Sequence, residues 1–348
     1  MEKEKFVTLG EVMLRLTPPG RLRLRQAACL NASFGGSEAN VAASLATFGL
    51  DSQLVSRLPE NELGEACLHV LRAAGIDTTH VVRGGSRIGV YFLENGASVR
   101  PSRVVYDRAD SAFATMHPGL IDWRSVFAQA KWFHWSGIVP ATSALAAEVC
   151  KEAIQMAHQM GLTISCDLNY RKNLWRYGKR ADEVMPEMVA MSDVVFGAMS
   201  EYRDALGIDE VPFKACDASY ELDEAAFLQS CRDFMGRFPR CRKMFVELRN
   251  SLSVDHDVLG AVLYADGVLW KAPIYDIDHV VDKVGVGDAF VGGMIYGITA
   301  YPNDNQKALE FALAASALKN TIVGDWNYVS ATEVEALMTG DRSGRVRR

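Results

Sequence analysis

The chain has 348 residues, 49% of them hydrophobic and 23% charged, with a net charge of -6. That length suits one large α/β domain or two smaller ones, and an acidic balance without a basic stripe argues against nucleic acid as a partner. No apolar run suits a bilayer span or a signal peptide, and seven scattered cysteines without a Cys-x-x-Cys or Cys/His cluster point to reduced thiols in the cytoplasm, away from any membrane.

Residues 6–10 read as a buried strand. The stretch 11–34 is extended and turned by Pro18-Pro19-Gly20. Ser37 is placed to cap a helix with Val41, Ala42, Leu45 and Phe48 on its apolar face, stopped by Gly49. A strand at 53–56 and a helix at 63–74, stopped by Gly75, follow. This β-α-β-α order predicts a mostly parallel, covered sheet. The rhythm then breaks. Residues 89–97 read as a strand ending in an Asn95-Gly96 turn, with 103–106 returning. This hairpin is expected to join strands from 11–34 in a small separate sheet. Further strands are predicted at 132–135, 162–166, 194–197 and 244–248, and helices at 143–160, about 289–299 and about 304–319. Within the first of these strands His134 reads as hydrogen-bonded core. Residues 208–222 mix acidic groups and Pro212 without a period and read as a surface loop. The basic tail, 341–348, reads as a frayed end.

The chemistry concentrates near the C-terminal end. Gly285-Val286-Gly287-Asp288 runs into an apolar segment at helical spacing: Phe290, Met294, Ile295 and Ile298. The glycines let backbone approach a ligand, and the free N–H groups of a first helical turn favour phosphate. Asp288 has two readings. It is a helix cap after a glycine turn, or it takes a proton from a hydroxyl attacking that phosphate.

Several ordered segments extend this. They are Gly10-Glu11-Val12-Met13-Leu14-Arg15-Leu16, Phe34-Gly35-Gly36-Ser37-Glu38-Ala39-Asn40-Val41-Ala42, Tyr91 with Val105-Tyr106-Asp107-Arg108, Asp167-Leu168-Asn169-Tyr170-Arg171 with Leu174-Trp175, the loop itself, and Lys319-Asn320-Thr321 followed by Gly324-Asp325-Trp326-Asn327. Together they resemble the ribokinase-like (PfkB) family of carbohydrate kinases, and within it the branch acting on 2-keto-3-deoxygluconate, over roughly residues 6–337. The resemblance implies one three-layer α/β domain spanning 1–348, with a β-sheet lid from about 11–34 and 87–108. It implies transfer of the ATP γ-phosphoryl to the sugar's terminal (6-) hydroxyl, magnesium with room for a monovalent cation, and homodimers or higher oligomers through the lid.

It also implies roles. Asp288 would be the base, and the amides of Gly285, Val286, Gly287 and Asp288 an anion hole. Gly35, Gly36, Asn40 and Asp325 would meet sugar hydroxyls. Tyr91, Tyr106 and Arg108 would be lid contacts, with Arg108 or Arg171 answering the sugar's carboxylate. Asn169, Arg171, Leu248, Arg249, Asn250, Ser251 and Asn320, with the loop glycines, would face ATP. Glu201 would hold magnesium through water. Three positions depart from the family pattern: Ala198 stands where an Asn is usual, Val286 where Ala or Gly is usual, and Glu247 where Thr is frequent. A β-branched Val286 is costly if its φ is positive, and crowds the nucleotide if it is not. These departures put the nucleotide side in question and keep open a catalytically weakened relative that binds a sugar acid. A kinase for another sugar such as fructose or ribose is a separate alternative, against which Tyr106-Asp107-Arg108 argues, since a neutral sugar needs no Arg. A NAD-binding reading fails, because no Gly-x-Gly-x-x-Gly turn follows the first strand.

Overall fold

The computed structural model describes residues 4–216 and 219–340. Its strands, in chain order, are β1 (Lys5–Leu9), β2 (Met13–Thr17), β3 (Asn31–Gly35), β4 (Asp51–Leu58), β5 (Val81–Arg83), β6 (Gly89–Glu94), β7 (Arg103–Asp107) and β8 (Ala130–Ser136). Then come β9 (Thr163–Asp167), β10 (Val194–Gly197), β11 (Phe213–Cys216), β12 (Ser219–Leu222), β13 (Lys243–Ser253), β14 (His256–Ala265), β15 (Val268–Lys271) and β16 (Tyr275–Ile277). The helices are α1 (Ser37–Thr47), α2 (Glu62–Ala73), α3 (Trp123–Val126), α4 (Ile138–Thr142), α5 (Ala144–Gln159) and α6 (Ala181–Val189). They continue with α7 (Met199–Leu206), α8 (Glu224–Arg237), α9 (Val286–Ala300), α10 (Asn305–Lys319) and α11 (Ala331–Met338).

The main sheet runs β15-β14-β13-β10-β9-β8-β1-β4-β5, with β16 also on β14. From β13 to β5 all neighbours are parallel; β14 turns antiparallel at the far side. Successive strand residues point into different cores because both faces are covered. Val7, Phe133, Val195 and Met244 pack with α5 to α8, while Phe6, Trp132, Phe196 and Phe245 pack with α1, α9 and α10. This is the expected three-layer α/β architecture. His134 is fully buried on Ser165 Oγ at 2.9 Å, and burial holds its pKa down at about 3, so it is neutral core.

The lid is a four-stranded sheet, β3-β2-β6-β7, built from the two segments predicted for it. Its hairpin reverses later than expected. Asn95-Gly96 is not the turn; Ala97 and Arg100 exchange backbone hydrogen bonds, and Ser98 takes φ +48°. The segment 208–222 is not a plain loop either, since β11 and β12 form an antiparallel pair within it. Among the described residues no helix is long and apolar enough to cross a membrane. The basic tail, 341–348, lies outside the described residues.

Candidate active site

A cavity of about 570 Å³ opens between the lid and the carboxyl ends of β9 and β10, where parallel α/β sheets commonly bind ligands. Helix α9 enters it by its N-terminus. Gly285 precedes the helix at φ +79°, and a Cβ there would meet the Asp325 carbonyl oxygen at 1.9 Å. The tight turn therefore needs glycine. Val286 is the first helical residue, has no positive φ and is fully buried outside the cavity lining. The positive φ belongs to Gly285 and not to this valine, so the backbone cost does not arise.

Asp288 lines the cavity and makes no cap bond to its own helix. Its two oxygens accept instead from Ser37 Oγ at 2.8 Å and Asn40 Nδ2 at 2.7 Å, both on α1. Burial raises its pKa, and these two donors hold it back. The cap reading is thereby removed. Ser37 also fails as a cap: Gly36 holds that position, and the Ser37 hydroxyl bridges Asp288 and Asn169 Nδ2, 2.9 Å away. Asn40 lines the cavity, and one of its two amide N–H groups is committed within the protein. Its Oδ1 accepts from the Gly36 N–H at 3.2 Å and its Nδ2 goes to Asp288, so it orients the carboxylate.

The lid supplies Tyr91, Tyr106 and Arg108 to the lining. Tyr91 and Tyr106 are cross-strand neighbours with ring centroids 6.1 Å apart. The buried Tyr91 hydroxyl donates to Asp325 Oδ2 at 2.5 Å. Arg108 is buried, and its charge is already answered: Nε donates to Glu11 Oε2 at 2.8 Å, while Nη2 reaches Glu11 and Thr142. Its Nη1 makes no hydrogen bond among the described residues. Gly36 lines the cavity but Gly35 does not; a Cβ on Gly35 would strike Asp325 Oδ2 at 2.0 Å, so that glycine makes room for a side chain. Asp325 lines the cavity with its charge committed to Arg15 Nη1 at 2.7 Å.

On the other side lie Asn169, Arg171, Glu201, Arg249, Gly287 and Glu247. Asn169, at φ +35°, reaches Asp167 and Ser37. Exposed Arg171 sits 3.5 Å from Glu201, and Arg249 sits 3.6 Å from Glu247. Glu247 also accepts from Ser316 Oγ at 3.0 Å, which anchors it beside Gly287. Leu248, Asn250, Ser251 and Asn320 lie outside the lining. Ser251 turns to Asp257 at 2.6 Å, and Asn320 is a buried anchor whose carbonyl accepts from the Val281 N–H at 2.8 Å.

Sequence reasoning passed over Asp167. It ends β9, lines the cavity, and burial together with Glu201 and Asp288 lifts its pKa well above the usual range. It also passed over Arg15, Asp282, Glu11 and Lys283. The signal for Asp167 was available in its position two residues before Asn169. Among the described residues no three His, Cys, Asp or Glu side chains are arranged to hold a metal.

The profile of the pfkB family of carbohydrate kinases matches residues 3–327. The chain is 39% identical to a solved structure of 2-dehydro-3-deoxygluconokinase from Thermotoga maritima, with a TM-score of 0.90, covering 97% of this chain and 99% of that one. It is 31% identical over 342 residues to a 2-dehydro-3-deoxygalactonokinase of Haloferax volcanii, covering 98% of each. It is 26% identical over 346 residues to fructokinase-1 of Oryza sativa subsp. japonica, covering 96% of this chain and 97% of that one.

Proposed function

The chain belongs to the pfkB family of carbohydrate kinases, and within that family we propose that it transfers the γ-phosphoryl of ATP to the terminal (6-) hydroxyl of 2-dehydro-3-deoxygluconate, the compound also called 2-keto-3-deoxygluconate. One observation carries the reading. A single cavity holds an uncapped helix N-terminus, the Asp288 carboxylate beside it, and a lid arginine whose Nη1 makes no hydrogen bond among the described residues. The first supports phosphate binding, the second proton removal and the third recognition of an acid.

In this reading Asn40 and Ser37 hold Asp288 toward the acceptor hydroxyl. The carboxylate takes the hydroxyl proton as its oxygen bonds to the γ-phosphorus. The bond from that phosphorus to the β-phosphate oxygen breaks, and ADP leaves. The N–H groups of residues 285–288 stabilise the charge on the transferring group, which is where most of the rate gain in phosphoryl transfer arises. Asp325, already paired, braces Tyr91 rather than acting on the sugar.

Magnesium fits as a partner of ATP. Asp167 and Glu201 both line the cavity, and Glu201 adds to burial in resisting the Asp167 charge, a repulsion that a dication relieves. With only two carboxylates, the ion would keep waters and phosphate oxygens as most of its ligands. It would supply charge neutralisation on the phosphates. Asp282 and Asp325, the carboxylates that flank the loop's first residues, are both paired with Arg15 and so are not free for a monovalent cation. Val104, Val105 and Tyr106 are exposed on the outer lid strand β7, which supports pairing of two chains through their lids.

A second reading, a fructose-type acceptor, is favoured by the Glu11–Arg108 pair, which leaves the lid arginine with no net charge to offer. A coupled ADP-release assay decides between them, using 2-dehydro-3-deoxygluconate, its C4 epimer 2-dehydro-3-deoxygalactonate, fructose and ribose. Highest kcat/KM for a sugar acid is expected; highest kcat/KM for fructose or ribose would replace the reading, and no turnover with any would favour a binding protein.

A further inference from the structure

Arg15 lies on lid strand β2, in register with Tyr91 of β6, and is 3% exposed. It does not line the cavity, and each of its three guanidinium nitrogens donates within the protein. Nη2 donates to Asp282 Oδ2 at 2.7 Å, Nη1 to Asp325 Oδ1 at 2.7 Å, and Nε to Thr17 Oγ1 at 2.9 Å. The Tyr91 hydroxyl takes the other oxygen of Asp325. Both carboxylates lead directly into the anion loop. Asp282 Oδ1 accepts from the Val284 N–H at 3.0 Å, and its Oδ2 accepts from the Gly324 N–H at 3.0 Å. The backbone of Asp325 packs on Gly285, the residue that opens α9.

Three separate pieces of chain therefore meet at one buried cation: the lid, the loop that presents N–H groups to phosphate, and the segment after α10. Removing one partner from a buried ion pair leaves a charge uncompensated, which is far costlier than losing an exposed contact. The position of the lid and the shape of the loop are thus set together. The lid strands carry Tyr91, and Arg108 follows β7, so whatever acceptor sits beneath them bears on the same network.

We propose that Arg15 is a positioning residue that couples occupancy of the acceptor side, under the lid, to the affinity of the anion loop for the phosphoryl donor. This rests on the kinase reading above. The coupling is reciprocal: an acceptor under the lid tightens the donor, and the donor tightens the acceptor by the same factor. Lysine cannot replace it fully, because a point charge does not bridge two carboxylates as a planar fork does.

The test is calorimetric, on the full chain, with a non-hydrolysable ATP analogue and magnesium, with and without a saturating sugar that the wild type phosphorylates. The wild-type analogue Kd is expected to fall by about 5–150-fold when sugar is present. Arg15→Met should bring that ratio close to one, whatever the Kd without sugar becomes, and Arg15→Lys should fall between. Asp282→Asn keeps an acceptor for the Val284 N–H, gives up the one for the Gly324 N–H, and removes the charge that Arg15 answers. It should lose the coupling as well, and it carries the test if Arg15→Met does not fold. A wild-type ratio near one overturns the proposal. So does an unchanged ratio in the variants, including variants that merely melt earlier or bind both ligands more weakly, since that is a structural role only. Because the sugar is whichever one the wild type turns over, a wrong acceptor assignment shows in the substrate panel and not in this ratio.

Discussion

Replacing Asp288 by asparagine tests whether this carboxylate does chemistry or only holds structure. The side chain accepts from Ser37 Oγ at 2.8 Å and Asn40 Nδ2 at 2.7 Å. An asparagine keeps one of these directly: its oxygen can face Asn40 while its amide faces the Ser37 oxygen. The Ser37 hydroxyl then loses an acceptor, at a cost of about 1 kcal/mol. Against this, the variant no longer confines a carboxylate whose charge burial resists. Stability should therefore change by about 1 kcal/mol or less in either direction. Catalysis should suffer much more. Loss of general-base assistance removes a factor of roughly 10²–10⁴, or about 3–5 kcal/mol of transition-state stabilisation. In the ADP-release assay kcat should fall by that factor with KM for both substrates little changed. The wild-type rate should also rise with pH on the acid side, through a value above that of an ordinary carboxylate, and the variant should lack this limb. A variant within ten-fold of wild-type kcat would refute the assignment and leave Asp288 as a bracket between α9 and α1.

Three further outcomes follow from the same geometry. Arg108→Leu alone would strand buried Glu11, so the informative variant is Glu11→Gln with Arg108→Leu; its kcat/KM for the sugar acid should drop by about 2–5 kcal/mol in transition-state terms, and for fructose far less. Val286→Ala, cut from a fully buried position outside the cavity, should cost about 1–3 kcal/mol in denaturant melts and leave KM for ATP unchanged. Burial raises Glu38 from 4.5 to about 7, so the unfolded chain releases this proton first and stability declines as pH rises from below 4.5 to above 7. Glu38→Gln should remove about 3 kcal/mol of that decline, measured as the wild-type minus variant difference across that range.

The parts of the site that were legible in the sequence are local ones. The loop before α9 announces itself through glycines followed by helical spacing, and Tyr91, Tyr106 and Arg108 fall on a hairpin whose alternation is visible. What stayed hidden depends on distant chain. Nothing local to Asn40 reveals that its amide also holds Asp288, 248 residues away. Arg15 looked like part of a strand motif, while its partners lie 267 and 310 residues further on. Strand β14 escaped notice because the main sheet is covered on both faces there: from Asp257 to Ala265 every residue is buried, so no polar alternation marks it. Helix α8 is different. Phe227, Cys231 and Phe234 are spaced to face one core, and that signal was present but outweighed by the acidic stretch before it.

The most direct measurement of the central claim is the identity of the product. Wild-type protein is incubated with ATP, magnesium and 2-dehydro-3-deoxygluconate, and the product is examined by phosphorus–proton correlation NMR. The phosphorus is expected to couple to the two protons of the terminal methylene, with one ADP formed per sugar phosphate. Phosphorus coupled to a ring or chain methine, or ADP formed without any sugar phosphate, would contradict the account.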